Sequence, residues 1–178
     1  MSLSPNSLGM YQASVPPMLQ MFASMTNLLD KAVAHCEARK IDPNKLLTYR
    51  LAVDMHPLTN QIQAISDQAK GSIARLAGID IPSMPDTEAT MDDLKARIAK
   101  TVEFIKSVKP EQIDGTEDKE IVLKLGPAGP NQFEMKFKGA QYLMHFVLPN
   151  FYFHHVTAYD ILRHAGVPVG KRDFMGSL

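Results

Sequence analysis

Three polar side chains fall on one line of a helix that is predicted near the carboxyl end of the chain. Asn150, His154 and Thr157 lie three or four residues apart, and residues at this spacing share a helix face. Leu143 and Val147 continue the same line with apolar side chains. An amide and an imidazole at i and i+4 have the spacing by which one helix offers two ligands to a metal ion. Because buried polar groups are costly without partners, the pattern predicts a site here.

His56 is the candidate for a third ligand. It precedes Pro57 at the start of another predicted helix and could meet the first two side chains across the bundle. One histidine from one helix and a pair from another would form an open three-ligand site of the kind that catalytic zinc or nickel uses. A metal-free interpretation stays open, in which His154 is a core histidine bonded to a backbone carbonyl or a carboxylate and His56 is exposed.

Composition excludes several other classes of protein. Lys plus Arg and Asp plus Glu both number 19 in 178 residues, and no basic stripe predicts binding to nucleic acid. The longest apolar run is too short to span a membrane, and residues 1–11 do not have the pattern of a secretion signal. The single cysteine, Cys36, excludes an internal disulfide and suits the cytoplasm. We therefore expect one cytoplasmic domain over residues 1–178, with no nucleic acid or membrane partner.

Four segments have the apolar spacing of bundle helices. The first carries Val15, Met18, Phe22, Met25 and Leu29, the second Leu58, Ile62, Ile65, Ala69, Ile73 and Leu76, and the third Met91, Leu94, Ile98 and Ile105. The fourth is the helix of the candidate site, predicted over Gln141–Ala165 and bent by Pro149. Pro16 and Pro17 suggest that the residues before them form a separate short turn. Gly78 and Thr90 are the expected C-cap and N-cap of the second and third helices.

Between the third and fourth helices the apolar period changes from 3.6 to 2. Residues 121–125 and 133–138 alternate apolar and polar side chains on either side of a segment rich in Gly and Pro, which predicts a β-hairpin. Two strands alone are marginally stable, so we expect the hairpin to lay its apolar face on the bundle. Ile79–Glu88 and the tail after Gly166 are predicted to be loops.

The last helix resembles the final helix of the DinB/YfiT-like superfamily of four-helix-bundle proteins, which carries an H-x-x-x-H motif followed by a leucine-arginine step and a glycine. Here Asn150–His154 leads to Leu162, Arg163 and Gly166, with His154 at the second histidine and Asn150 in place of the first. Further segments resemble a branch classed only as a domain of unknown function. These are residues 54–58, 61–63, 75–78, 149–154, 158–159, 162–164 and 166–167.

The resemblance implies a mainly α fold, an up-down-down-up four-helix bundle with the small β-hairpin inserted between helices three and four. It also implies a homodimer and a metal- and thiol-dependent transferase, because metal-bearing relatives use low-molecular-weight thiols. Zinc or nickel would be held by His56, Asn150 and His154. Zinc and nickel favour imidazole over an amide oxygen, so the asparagine weakens such a site. The alternative is a metal-free small-molecule-binding protein or dimeric scaffold with a degenerate metal site.

The same resemblance implies a pocket between the second and fourth helices. Its walls would include Gln61 on the second helix and Thr157 and Tyr159 on the fourth.

Overall fold

The computed structural model describes residues 8–126 and 129–176 and confirms the mainly α four-helix bundle with an inserted hairpin. The four bundle helices are α1 (Met10–Ala38), α2 (Leu58–Ala77), α3 (Met91–Ser107) and α4 (Leu148–His164). Their apolar faces meet in one core. The predicted caps are present: Gly78 is left-handed at φ 72°, and Thr90 forms a capping box with Asp93.

The directions of the helices follow from contacts along α2. The chain after α1 passes through a 3₁₀ helix, Pro43–Thr48, and reaches the start of α2, so α1 and α2 are antiparallel. The 79–90 segment then returns along α2, because Lys70 donates to the Pro82 carbonyl and Gln63 donates to Glu88. This return brings the start of α3 beside the start of α2, and these two helices are parallel.

The last helix runs against α2. Arg75, near the end of α2, donates to the Tyr142 hydroxyl, whereas Gln61, near its start, contacts His154. Residue numbers therefore increase along α4 in the direction in which they decrease along α2, and the two helices are antiparallel. With the directions of the first three helices, this contact pattern gives the up-down-down-up order.

A buried arginine binds the 79–90 segment to the bundle through ion pairs. The Arg97 side chain on α3 is 1% exposed, and its terminal nitrogens lie 2.8–2.9 Å from the carboxylates of Asp67, Asp86 and Glu88. A groove of about 560 Å³ runs between this segment and α3 and includes Arg97 and Phe104 in its lining. Since the terminal nitrogens of the guanidinium are bound to carboxylates, the cluster serves to hold the segment in place.

The first helix differs from the prediction at its prolines. We expected a separate turn before Pro16 and Pro17, but α1 continues through both residues. Two backbone hydrogen bonds are lost there. The helix is held on either side, since Val15 and Met18 are fully buried and the Tyr11 amide donates to the Asp114 carboxylate at 2.8 Å.

The predicted hairpin is present and packs on the bundle. Strands β1 (Glu120–Leu125) and β2 (Phe133–Lys138) pair antiparallel, with Ile121 opposite Phe137. Ile121 and Leu123 are buried, and the Phe137 ring lies 5.9 Å from that of Tyr142. The apolar face of the hairpin therefore covers the chain that leads into α4.

The predicted helix Gln141–Ala165 is not uniform. A helical turn at Gly139–Gln141 leads into a π-helical segment, Tyr142–Val147, before α4 begins. The Leu148 amide donates to the Leu143 carbonyl, five residues back instead of four. Pro149 follows directly and has no amide hydrogen to donate. We predicted a bend at Pro149, and the irregularity observed there is a π turn formed by the residues that precede it.

The tail after Gly166 was predicted to be a loop but includes a short helix, α5 (Lys171–Met175). This helix packs on α1, where the Ser24 hydroxyl donates to the Phe174 carbonyl at 2.6 Å. A five-residue helix is stabilised by such tertiary contacts more than by its own periodicity, which explains why the sequence pattern did not reveal it.

Candidate functional site

The candidate site lies where the start of α2 faces the middle of α4. Gln61, in the first turn of α2, is buried, and His154 on α4 is half-buried beside it. The Nδ1 atom of His154 lies 2.7 Å from Oε1 of Gln61. This contact joins a predicted ligand to a predicted pocket residue.

The Gln61 amide defines the tautomer of His154. Its Nε2 atom donates to the His56 backbone carbonyl at 2.8 Å, and a carbonyl oxygen can only accept. The amide oxygen must then face His154, so Nδ1 of the imidazole is the protonated nitrogen. Nε2 has no hydrogen-bond partner among the described residues. In the neutral ring this atom carries a lone pair that can bind a metal ion or accept a proton.

Burial lowers the pKa of His154, and the charge of the His56 side chain lowers it further. Gln61 joins the two residues, since its side chain contacts the His56 carbonyl and the His154 ring. His56 itself is exposed on the turn that precedes α2. The structure therefore brings His56, Gln61 and His154 together at one edge of the bundle.

Asn150 lies one turn before His154 and is half-buried. Its side-chain Nδ2 donates to the Phe146 carbonyl at 2.6 Å, within the same helical run. The amide nitrogen thus binds the backbone where the π turn meets α4. The Oδ1 atom remains available as a ligand.

The two remaining pocket residues are placed differently. Thr157 is buried, and its hydroxyl donates to the Phe153 carbonyl at 2.8 Å. Tyr159 lies on another face of α4, where its ring packs edge-on against Phe174 of α5 at 5.6 Å. Of the predicted pocket residues, Gln61 contacts His154 directly.

His155, the residue after the proposed ligand, is fully buried. Its ring packs against Phe22 and Phe151, and Nδ1 and Nε2 lie 3.2 and 3.3 Å from the carbonyl oxygens of Phe151 and Met21. A neutral imidazole has one N–H and can donate to only one of them. Burial lowers the pKa of His155 to about 4, so the ring is neutral at pH 7. Its spacing of four from Phe151 was the sequence signal for this position.

The donor set of the candidate site is limited for a transition metal. Among the residues that the structure describes, no three His, Cys, Asp or Glu side chains form a group that could hold a metal ion. The donors that remain are two imidazoles and the Asn150 amide oxygen, a weaker set than three imidazoles. His154 nevertheless has the features of a ligand, a neutral ring whose other nitrogen is held by a hydrogen bond. By type, two imidazoles and an amide oxygen could serve as the ligands of an open site, with one donor weaker than imidazole.

The bundle, the inserted hairpin and the histidine on the last helix define a DinB-like protein. A crystal structure of a DinB family member protein from Shewanella denitrificans matches with a TM-score of 0.85 and 33% sequence identity, over 94% of this chain and 92% of that one. Residues 10–175 match the family described as domain of unknown function DUF1993. The chain belongs to this family.

The search of curated proteins found no match. In the described part of the chain, the helices are too short or too polar to cross a membrane.

Proposed function

We propose that this chain is a metal- and thiol-dependent transferase of the DinB type, with its site between the start of α2 and the middle of α4. The observation that carries the proposal is the state of His154. Its Nδ1 is bound to Gln61, so the ring offers Nε2 as a donor atom. Metal-binding histidines are commonly held in this way by a hydrogen bond to the second ring nitrogen.

Each residue of the site has an assigned role. His154 and His56 would hold zinc or nickel, and Asn150 would supply its amide oxygen directly or through water. A bound ion of this kind lowers the pKa of a thiol and keeps it as the nucleophilic thiolate. The half-buried position of His154 gives a small thiol access from solvent, while the Gln61 side chain keeps the imidazole oriented.

A second candidate function is a metal-free binding module that acts as a homodimeric scaffold. Two observations favour it: the Asn150 amide is bound to the Phe146 carbonyl, and α4 exposes apolar side chains. Tyr152 is 36% exposed, Phe153 57% and Val156 43%, a surface that a second copy could cover. Here His154 would accept a hydrogen bond from a small ligand through Nε2.

Metal content separates the two candidates. Full-length protein without a histidine tag is incubated with zinc or nickel, desalted and analysed for bound metal. The transferase proposal predicts roughly one equivalent in the wild type and a loss of binding in His154→Gln. His164→Gln, an exposed histidine on the same helix, is the matched control and should bind as the wild type does. Less than about a tenth of an equivalent in the wild type would favour the binding module.

A further inference from the structure

Among the described residues, Gln61 makes the side-chain hydrogen bond that joins the start of α2 to α4. It is 1% exposed, and it is held on α2, where its backbone amide donates to the Pro57 carbonyl at 3.1 Å. Its side-chain amide then makes two contacts in opposite directions. Nε2 reaches the His56 carbonyl at 2.8 Å, and Oε1 reaches Nδ1 of His154 at 2.7 Å.

These two contacts permit one orientation of the amide. If the amide were turned over, its oxygen would face the His56 carbonyl, and two acceptors would be in contact. Its nitrogen would then face His154 and require Nδ1 to accept. Such a turn exchanges a satisfied buried pair for at least one repulsive contact. The His56 carbonyl therefore determines which nitrogen of His154 carries the proton, although it does not touch that ring.

We propose that Gln61 is a positioning residue, which holds His154 as the Nδ1–H tautomer and connects it to the segment that carries His56. The part of this inference that concerns metal binding rests on the proposed function. The tautomer does not depend on it, because it follows from hydrogen bonds within the chain alone. In water a neutral histidine prefers the Nε2–H form, so the Gln61 contact works against the intrinsic preference of the ring.

The tautomer can be read directly in the metal-free full-length protein. Long-range ¹H–¹⁵N NMR spectra at neutral pH distinguish a protonated from an unprotonated ring nitrogen. The wild type should show His154 protonated at Nδ1, and Gln61→Leu should shift it toward Nε2–H. Gln61→Met, which has a similar length and no strong donor or acceptor, should give the same shift. That variant keeps the test available if Gln61→Leu does not fold.

Gln63→Leu is a matched control. Gln63 is also a buried glutamine on α2, but it bonds to Glu88 and Asn60 and not to the site. Its replacement should leave the His154 tautomer unchanged. If Gln61→Leu leaves the tautomer unchanged as well, or if the wild type is already in the Nε2–H form, the positioning role is wrong.

Zinc alone, titrated in competition with a chromogenic chelator, provides the second measurement. Loss of a residue that orients a ligand typically lowers metal affinity about 10- to 100-fold, and we expect this loss in Gln61→Leu but not in Gln63→Leu. An equal affinity in the wild type and Gln61→Leu would overturn the inference for metal binding. If the wild type binds no zinc while the tautomer still shifts in Gln61→Leu, the positioning role holds and the proposed metal-dependent function fails.

Discussion

Replacing His155 with leucine should reduce the pH dependence of stability between pH 7 and pH 5 by about 2 kcal/mol. His155 is fully buried between Phe22 and Phe151, and its burial lowers the pKa to about 4 from the ordinary 6.5. The carbonyls that its ring contacts, those of Met21 and Phe151, are both in helix interiors and also accept backbone hydrogen bonds. Leucine therefore leaves neither of them without a partner.

The sign of the effect follows from proton binding. Between pH 6.5 and about 4 the unfolded chain binds a proton at His155 and the folded chain does not, so stability is lost as the pH falls through this window. The full difference corresponds to about 3 kcal/mol, of which about 2 kcal/mol is reached at pH 5. The pKa of His154 is also lowered by burial and gives a loss of the same sign, but this contribution is common to wild type and variant.

Urea unfolding followed by far-ultraviolet circular dichroism at pH 5, 6 and 7 measures the effect. The carboxyls with lowered pKa values, Glu88, Asp93 and Asp173, lose their stabilisation only as the pH falls toward 4 and below, and so contribute little in this range. His164→Leu, which replaces an exposed histidine on α4, should keep the pH dependence of the wild type. Equal pH dependence in His155→Leu and wild type would refute the assignment of His155 as a buried neutral imidazole.

Three further variants test the site and the fold. Asn150→His would restore a third imidazole, and the proposed metal site predicts a gain in zinc affinity on the order of tenfold or more in the chelator competition; no gain would argue against that site. Arg97→Ala leaves its buried carboxylate partner uncompensated, and urea unfolding should show a loss of about 3 kcal/mol; a neutral result would mean that the cluster does not hold the 79–90 segment. Gly139→Ala would place a Cβ 2.0 Å from the Thr116 carbonyl and should cost about 2 kcal/mol, whereas Gly170→Ala, with open space around it, should be tolerated.

Much of the fold could be predicted from local signals. Thr90 begins α3 through hydrogen bonds with Asp93, and Gly78 ends α2 in a left-handed conformation. Both features depend on near neighbours in the chain, and the change of apolar period marks the hairpin. The Arg97 cluster could not be predicted in this way. Its carboxylates come from α2 and from the 79–90 segment, and only the return of that segment along α2 brings them to one guanidinium.

The helix predicted to carry the candidate site is present, but its buried face is broader than the sequence pattern indicated. We continued the apolar line from Leu143 through Val147 with a constant helical period, which placed His154 on the inward face. The π turn at Tyr142–Val147 puts one extra residue into a turn, and a single residue corresponds to about 100° of rotation around a helix. After this turn the buried face includes Phe151 and His155 as well as Thr157 and Ile161 of the predicted line.

The burial of His155 bears on the proposed role of His154. Had His154 taken the core position, its ring would have been enclosed by apolar side chains, as the ring of His155 is. With His155 in the core, His154 lies half-buried on the flank that faces α2, where the Gln61 amide reaches Nδ1. One nitrogen is thereby held inside the bundle while the ring retains access to solvent. The proposed binding role of His154 requires both conditions.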